Sequence, residues 1–317
     1  MSDPVEMRNL MRRFGSRIVL DGVSLTIPRC SIVGLIGRNG AGKSTLLRHI
    51  PGLLLPDSGE CRTLGKSAAK LGRVELSRIG IVNQDDRLLP WMRAGQLLEY
   101  VASFYNRWDH HLQHRLIAAL DVDPHARVGT LSSGTLQKLA LIVATCHHPE
   151  LLLLDEPLSD LDPMGRQTVL AMLLDRFSSE EITIVVSSHM LRDIEPVIDR
   201  VVCLEGGRVV ADDTLDDLKE RYCEWIVTSP TGGLPSSFME PYVLSATGDH
   251  QRARLLVRDS VEHAATFMAR HGATIQTRQL SLEGIFPLLV GGVEDQGSVR
   301  GDSSGASTTY SATGADR

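Results

Sequence analysis

The chain lacks the uninterrupted run of about 18 apolar residues that a membrane-crossing helix needs, so it is not expected to span a bilayer itself. Aromatic residues are scarce at 4 %, which argues against a surface built to stack nucleic-acid bases. No excess of basic residues is present. The net charge is −6, so the surface as a whole is not organised to neutralise phosphates. The five cysteines (Cys30, Cys61, Cys146, Cys203, Cys223) are odd in number and contain no C-x-x-C pair. They read as reduced thiols, neither a disulfide frame nor a zinc site. Met1 to Gly15 has no apolar core of the kind a signal peptide carries. A soluble cytosolic protein is expected. With 317 residues it is longer than one ordinary domain.

What is present is an alternation of short apolar runs and helical patterns. Ser31–Ile36, Ile79–Val82, Leu151–Leu154 and Ile182–Val186 are apolar on both faces, as buried parallel strands are. Val201–Leu204 and Arg208–Ala211 flank Gly206-Gly207, a tight hairpin signal. The fold class is therefore α/β, a doubly wound sheet. Between Gln84 and Ser132 the strand signals stop, and Met92–Tyr105 and His111–Leu120 show helical spacing, a helical insertion at about 86–148. After residue 215 the pattern changes to a small α+β accessory domain over 216–290, whose last helix, Ser281–Val290, is expected to be interrupted by Pro287. Residues 291–317 are rich in Gly, Ser and Thr and are expected to be disordered.

Gly37-Arg38-Asn39-Gly40-Ala41-Gly42-Lys43-Ser44-Thr45 fits G-x-x-x-x-G-K-[ST] between a predicted strand and a predicted helix. Glycines let successive N–H groups turn toward phosphate oxygens. Lys43 supplies a cation for the β- and γ-phosphates, and the Ser44 hydroxyl suits Mg²⁺. A second signal is Leu151-Leu152-Leu153-Leu154-Asp155-Glu156-Pro157. Adjacent carboxylates at the end of a buried strand are costly unless they bind something. Asp155 would hold Mg²⁺ and Glu156 would act as general base on water. Together the two motifs describe a P-loop nucleotide hydrolase. The histidines at 110, 111 and 114 have helical spacing but no partner ligand in view, and read as a solvated face.

Leu131-Ser132-Ser133-Gly134-Thr135-Leu136-Gln137-Lys138 resembles the signature motif of the ATP-binding-cassette family. Other landmarks of that family follow in order: Phe14 where an aromatic stacks on adenine, Gln84 after a strand, Ser159-Asp160-Leu161-Asp162, and His189 after Ile182–Val186. The resemblance covers about residues 5–215. It implies a RecA-like core (1–215) with an antiparallel β subdomain and a helical subdomain. It also implies MgATP hydrolysis in a head-to-tail pair. In that pair Ser132 and Gly134 of one copy would face the γ-phosphate held by the other, Asp162 would reach across, His189 would contact the γ-phosphate, and Gln84 would approach Mg²⁺. Catalysis would rest on Glu156, His189, Gln84 and Lys43. The nucleotide would be held by Phe14, Gly37, Asn39, Gly40, Ala41, Gly42, Lys43, Ser44 and Thr45, and Mg²⁺ by Ser44, Gln84 and Asp155. Within the family the chain is similar to ATPase subunits of exporters whose permeases are separate chains. Those permease subunits would dock beside Gln84 and the Trp91–Tyr105 region, placing the protein on the inner face of the cell membrane. A soluble cassette with a regulatory, nucleic-acid or ribosomal role is the alternative, although no nucleic-acid partner is expected from the charge. Ser133 and Thr135 stand where the family most often has glycine and glutamine, which implies weakened or retuned activity at most.

Overall fold

The computed structural model describes residues 3–84, 88–179, 181–229, 233–235 and 237–291. Of the stretch 291–317 expected to be disordered, Gly291 is described, as the residue ending the last helix, and the remainder lies outside these residues. They form two compact units, one reaching to Leu218 and including Ser281–Gly291, the other Lys219–Leu280.

The first unit opens with β1 (Val5–Phe14) and β2 (Arg17–Ile27), followed by β3 (Ile32–Ile36), α1 (Lys43–His49), β4 (Ser58–Thr63) and β5 (Lys66–Ser67). Next come α2 (Arg73–Leu76), β6 (Ile79–Val82), α3 (Ala94–Ala102), α4 (His110–Ala119) and α5 (Ser133–Thr145). Then follow β7 (Leu151–Asp155), α6 (Pro163–Ser179), β8 (Thr183–Ser188), α7 (Leu191–Ile194), β9 (Arg200–Glu205), β10 (Arg208–Thr214) and α8 (Leu215–Arg221). β2-β1-β4-β5 form an antiparallel sheet. A second sheet runs β10-β9-β3-β8-β7-β6, parallel except for the β9–β10 hairpin. Every residue of β3, β7 and β8 is buried, which is why these strands read as continuous apolar runs. One hydrophobic cluster joins the sheets, from Val5, Leu10 and Leu20 through Leu46 and Leu47 to Leu153 and Val185. Burial of this apolar area is the main force holding the nucleotide-motif strands in register.

The helical insertion is α3, α4 and α5. Asp109 caps α4, its carboxylate accepting from Leu112 N at 2.8 Å. Ser132 caps α5, accepting from Thr135 N at 3.2 Å.

The second unit contains β11 (Tyr222–Thr228), β12 (Val243–Gly248), β13 (Arg252–Arg258), α9 (Ser260–His271) and β14 (Thr274–Gln279). Its antiparallel sheet has the order β12-β13-β11-β14. Alternate residues of β11 and β13 point inward, where Trp225 and Phe267 meet edge-on with ring centroids 5.3 Å apart. The last helix, α10 (Leu282–Val290), differs from expectation in two ways. It is continuous through Pro287, because the buried Leu282 and Ile285 and the Ser281 cap fix its first turns and Pro287 loses one donor only. It also belongs to the first unit, where it packs against α7 and β10, and Leu282 N donates to Glu195 Oε2 at 3.0 Å.

Candidate nucleotide site

The loop after β3 curls tightly before α1. Gly42, the residue preceding α1, has φ 109°. A Cβ there would stand 2.8 Å from Val19 O and from Leu20 Cδ2, so only glycine fits. Ala41 N donates to Arg38 O at 3.1 Å and closes the turn around Gly37–Gly40. Lys43 is buried in the loop, its Nζ donating to Gly37 O at 2.8 Å and to Arg38 O at 3.4 Å.

The loop forms one wall of a cleft of about 420 Å³. Phe14, Asn39, Gly40, Gly42, Lys43, Ser44, Thr45, Gln84, Glu156 and His189 line it, with Arg17 and Val19 beside them. The Phe14 ring is 49 % exposed and carries the Arg12 guanidinium 4.8 Å from its centroid. Half of its surface remains open, as a stacking platform requires. Gln84 sits just past β6.

Opposite the loop are the carboxylates at the end of β7. Asp155 is 2 % exposed. Its Oδ1 accepts from the Ser187 hydroxyl at 2.6 Å, and its Oδ2 is buried with no hydrogen-bond partner. An orphaned carboxylate oxygen is costly unless a cation or a water completes it. Glu156 has φ 50°, a left-handed conformation rare outside glycine. That turn aims its carboxylate into the cleft. Oε1 lies 3.9 Å from Lys43 Nζ, and Oε2 lies 2.7 Å from His189 Nδ1 and accepts from His189 N at 3.3 Å. Glu156 thus joins the loop lysine to the histidine that follows β8.

The profile of the ABC transporter family matches residues 20–159. The Nod factor export ATP-binding protein I of Rhizobium sp. strain N33 is 30 % identical over 90 % of this chain and 97 % of its own length. The bacitracin transport ATP-binding protein BcrA of Bacillus licheniformis is 32 % identical, covering 70 % of this chain and 73 % of its own. The structure of an ATP-binding subunit of an ABC transporter superposes with a TM-score of 0.62 at 28 % identity, over 68 % of this chain and 91 % of that one. The chain belongs to the ABC transporter family. It is an ATP-binding subunit with the P-loop fold and the ATPase activity of that family. A dimeric cassette bound to ADP and Pi shares the fold at 24 % identity, with a TM-score of 0.60 over 67 % of this chain and 98 % of that one.

Gly37, Ala41 and Asp155 do not line the cleft themselves but adjoin residues that do, whereas Ser132, Gly134 and Asp162 lie on other elements. Ser132 and Gly134 sit at the start of α5, where the Ser132 hydroxyl is 2.8 Å from Thr135 Oγ1. Asp162 caps α6, accepting from Gly165 N at 2.7 Å, and that bond holds its carboxyl below the usual range. Sequence reasoning gave no role to Arg17, Val19, Ser187 or Gln137. Arg17 lies against Gly40, where an added Cβ would meet its guanidinium at 3.4 Å. Gln137 donates from Nε2 to Glu156 O at 2.6 Å and accepts from Asp160 N at 3.4 Å, which ties α5 to the Glu156 turn. Only the motif spacing could have hinted at Gln137, five residues beyond Ser132 on the inner helix face. Among the described residues no cluster of three His, Cys, Asp or Glu residues suits a metal ion.

Proposed function

We propose that the chain hydrolyses MgATP at the interface of a head-to-tail pair and drives export through separate permease subunits. The observation that carries the reading is the Glu156 carboxylate, held between Lys43 at 3.9 Å and His189 at 2.7 Å in the cleft behind the phosphate loop. A carboxylate so placed takes a proton from an attacking water, and His189 fixes its direction. Phe14 supports the adenine. The N–H groups of the Gly37–Thr45 loop and the Lys43 ammonium hold the phosphates. Ser44, Gln84 and the free Asp155 Oδ2 are hard oxygen donors of the kind Mg²⁺ takes. The ion would neutralise charge on the β- and γ-phosphates.

Ser132 and Gly134 at the start of α5 and Asp162 before α6 lie outside this cleft, and they serve the nucleotide of a neighbouring copy or of a related second subunit. The α5 N-terminus then covers the side of the phosphates that the loop leaves open. Permease docking is supported by exposed apolar residues on α2 and on the helical insertion. Val74 and Phe104 share a cleft of about 350 Å³, and Tyr100 meets Phe104 edge-on at 5.0 Å. Trp91 is exposed nearby in sequence. Such a patch is an expected mark of a partner, and it would hold the protein at the cytoplasmic face of the membrane. Export is favoured over import by the extent of likeness. The relative named for Nod factor export aligns over 90 % of the chain, and a relative named for aliphatic sulfonate import, from Cupriavidus necator, over 66 %.

The test is Glu156→Gln in the complex with its permease. Phosphate release falls at least about a hundredfold, ATP binding persists, and the pair stays closed on ATP. Hydrolysis at the normal rate removes Glu156 from its role.

A further inference from the structure

Ser187 has no part in the proposed reaction, yet it is the only described side chain that hydrogen-bonds to the Asp155 carboxylate. It lies on β8, two residues before His189, and the parallel register sets Ser187 directly beside Asp155. Parallel partners share a sheet face, so the two side chains meet without adjustment. Ser187 is fully buried at 0 % exposure. Its hydroxyl makes two bonds of opposite sense, donating to Asp155 Oδ1 at 2.6 Å and accepting from Glu156 N at 2.9 Å.

Both bonds have consequences. Donation engages Oδ1 and fixes the carboxylate rotamer, which leaves Oδ2 buried and without a hydrogen-bond partner. Acceptance satisfies the backbone N–H of Glu156, whose left-handed φ of 50° takes it out of the β-ladder. One hydroxyl group therefore sets the direction of the unpartnered Asp155 oxygen and the backbone of Glu156. Alanine can do neither. Cysteine has similar bulk but is a weak donor and a weak acceptor.

We propose that Ser187 is a positioning residue that dedicates Asp155 Oδ2 to the divalent cation of the nucleotide and holds the Glu156 turn in its working conformation. The inference rests on the reading of the cleft given above and assigns no contact between Ser187 and nucleotide. It separates two quantities. Affinity for ATP without metal depends on the loop, Lys43 and Phe14, none of which Ser187 touches. Affinity for the metal in the nucleotide complex depends on Asp155.

The experiment measures Mn²⁺ binding by electron paramagnetic resonance in the presence of a non-hydrolysable ATP analogue, ATP binding in EDTA, and turnover against Mg²⁺ concentration. Wild type, Ser187→Ala, Ser187→Cys and Ser187→Thr are compared. Loss of a group that orients a metal ligand typically weakens metal binding tenfold or more. Ala and Cys are expected to lose about tenfold in Mn²⁺ affinity, to need more Mg²⁺ for half-maximal turnover, and to turn over more slowly. Their ATP affinity in EDTA stays within about twofold of wild type, since none of the loop contacts is altered. Thr restores the metal affinity through its hydroxyl. Should Ala fail to fold, Ser187→Thr and Ser187→Val, equal in bulk and different in the hydroxyl, decide the matter. Ala or Cys with unchanged Mn²⁺ affinity overturns the proposal, and so does metal-free ATP binding that falls in step with metal binding. If wild type itself binds no Mn²⁺ with the analogue, the reading of the cleft fails instead.

Discussion

Lys43 shows how much of the site one residue settles. Its ammonium is held by two loop carbonyls and stands 3.9 Å from Glu156, so its position is fixed by the loop and not by chance of rotamer. Removing it takes from the cleft the ammonium proposed to hold the phosphates. Lys43→Ala is expected to weaken MgATP binding by at least about tenfold, the scale of a charge-assisted hydrogen bond. Titration with a fluorescent nucleotide checks this, and unchanged affinity contradicts the assignment. At this scale the sequence was most readable. Lys43, Ser44, Asp155 and Glu156 sit in motifs whose spacing follows from one strand and one turn. Arg17 and Ser187 could not be found that way, because what gives them a place is pairing between distant segments. Ser187 is 32 residues from Asp155 in sequence and adjacent to it only through the β7–β8 register.

Among the elements, α5 connects several parts of the ATPase unit. Its first turn carries Ser132, its inner face carries Gln137 against the Glu156 turn, and His147 lies just past its end. The His147 ring stacks on Tyr105 with centroids 4.2 Å apart, and Nε2 lies 3.3 Å from Ile79 O. Burial lowers its pKa to about 4 from the ordinary 6.5, against the raising effect of the Ile79 carbonyl. The unfolded chain therefore takes up a proton that the folded chain refuses. Stability is unaffected above pH 6.5 and declines as pH falls from there toward 4, by up to about 3 kcal/mol. Urea unfolding of wild type and His147→Phe across that range is expected to show a shallower decline in the variant. Parallel declines would refute the assignment. The alternation of apolar runs and helical patterns made the parallel sheet and the helical insertion visible in advance. β1, β2 and β4 were not read individually, because they alternate buried and exposed residues irregularly across bulges such as those between Met7 and Leu10 and between Arg8 and Met11.

For the molecule as a whole, the second unit is an insertion within the first. The chain leaves after Leu218 and returns at Ser281. Cys223 pairs with Gln279 across β11 and β14, so the two ends of the insertion lie side by side, about 5 Å apart. Replacing residues 219–280 with a short glycine-serine linker is expected to leave a folded unit that still binds ATP, measured by nucleotide titration and circular dichroism. Loss of both would show that the units depend on each other for folding. In the sequence the pattern changes at 216 and nothing but proximity places 281–290, which therefore reads as part of the accessory domain. Leu282 and Ile285 have the spacing of a buried helix face wherever that face is placed. Only the contacts with α7 and β10, and the bond to Glu195, show which unit it completes.

The return of α10 puts synthesis order and folding order at odds. A ribosome makes the accessory unit before it makes the helix that finishes the ATPase. A message cut short or a frame lost anywhere in 219–280 therefore does not yield a working subunit minus an appendage. It yields one in which α7 and β10 lack the helix that packs against them, so the ATPase unit is completed only when the chain has been translated through α10.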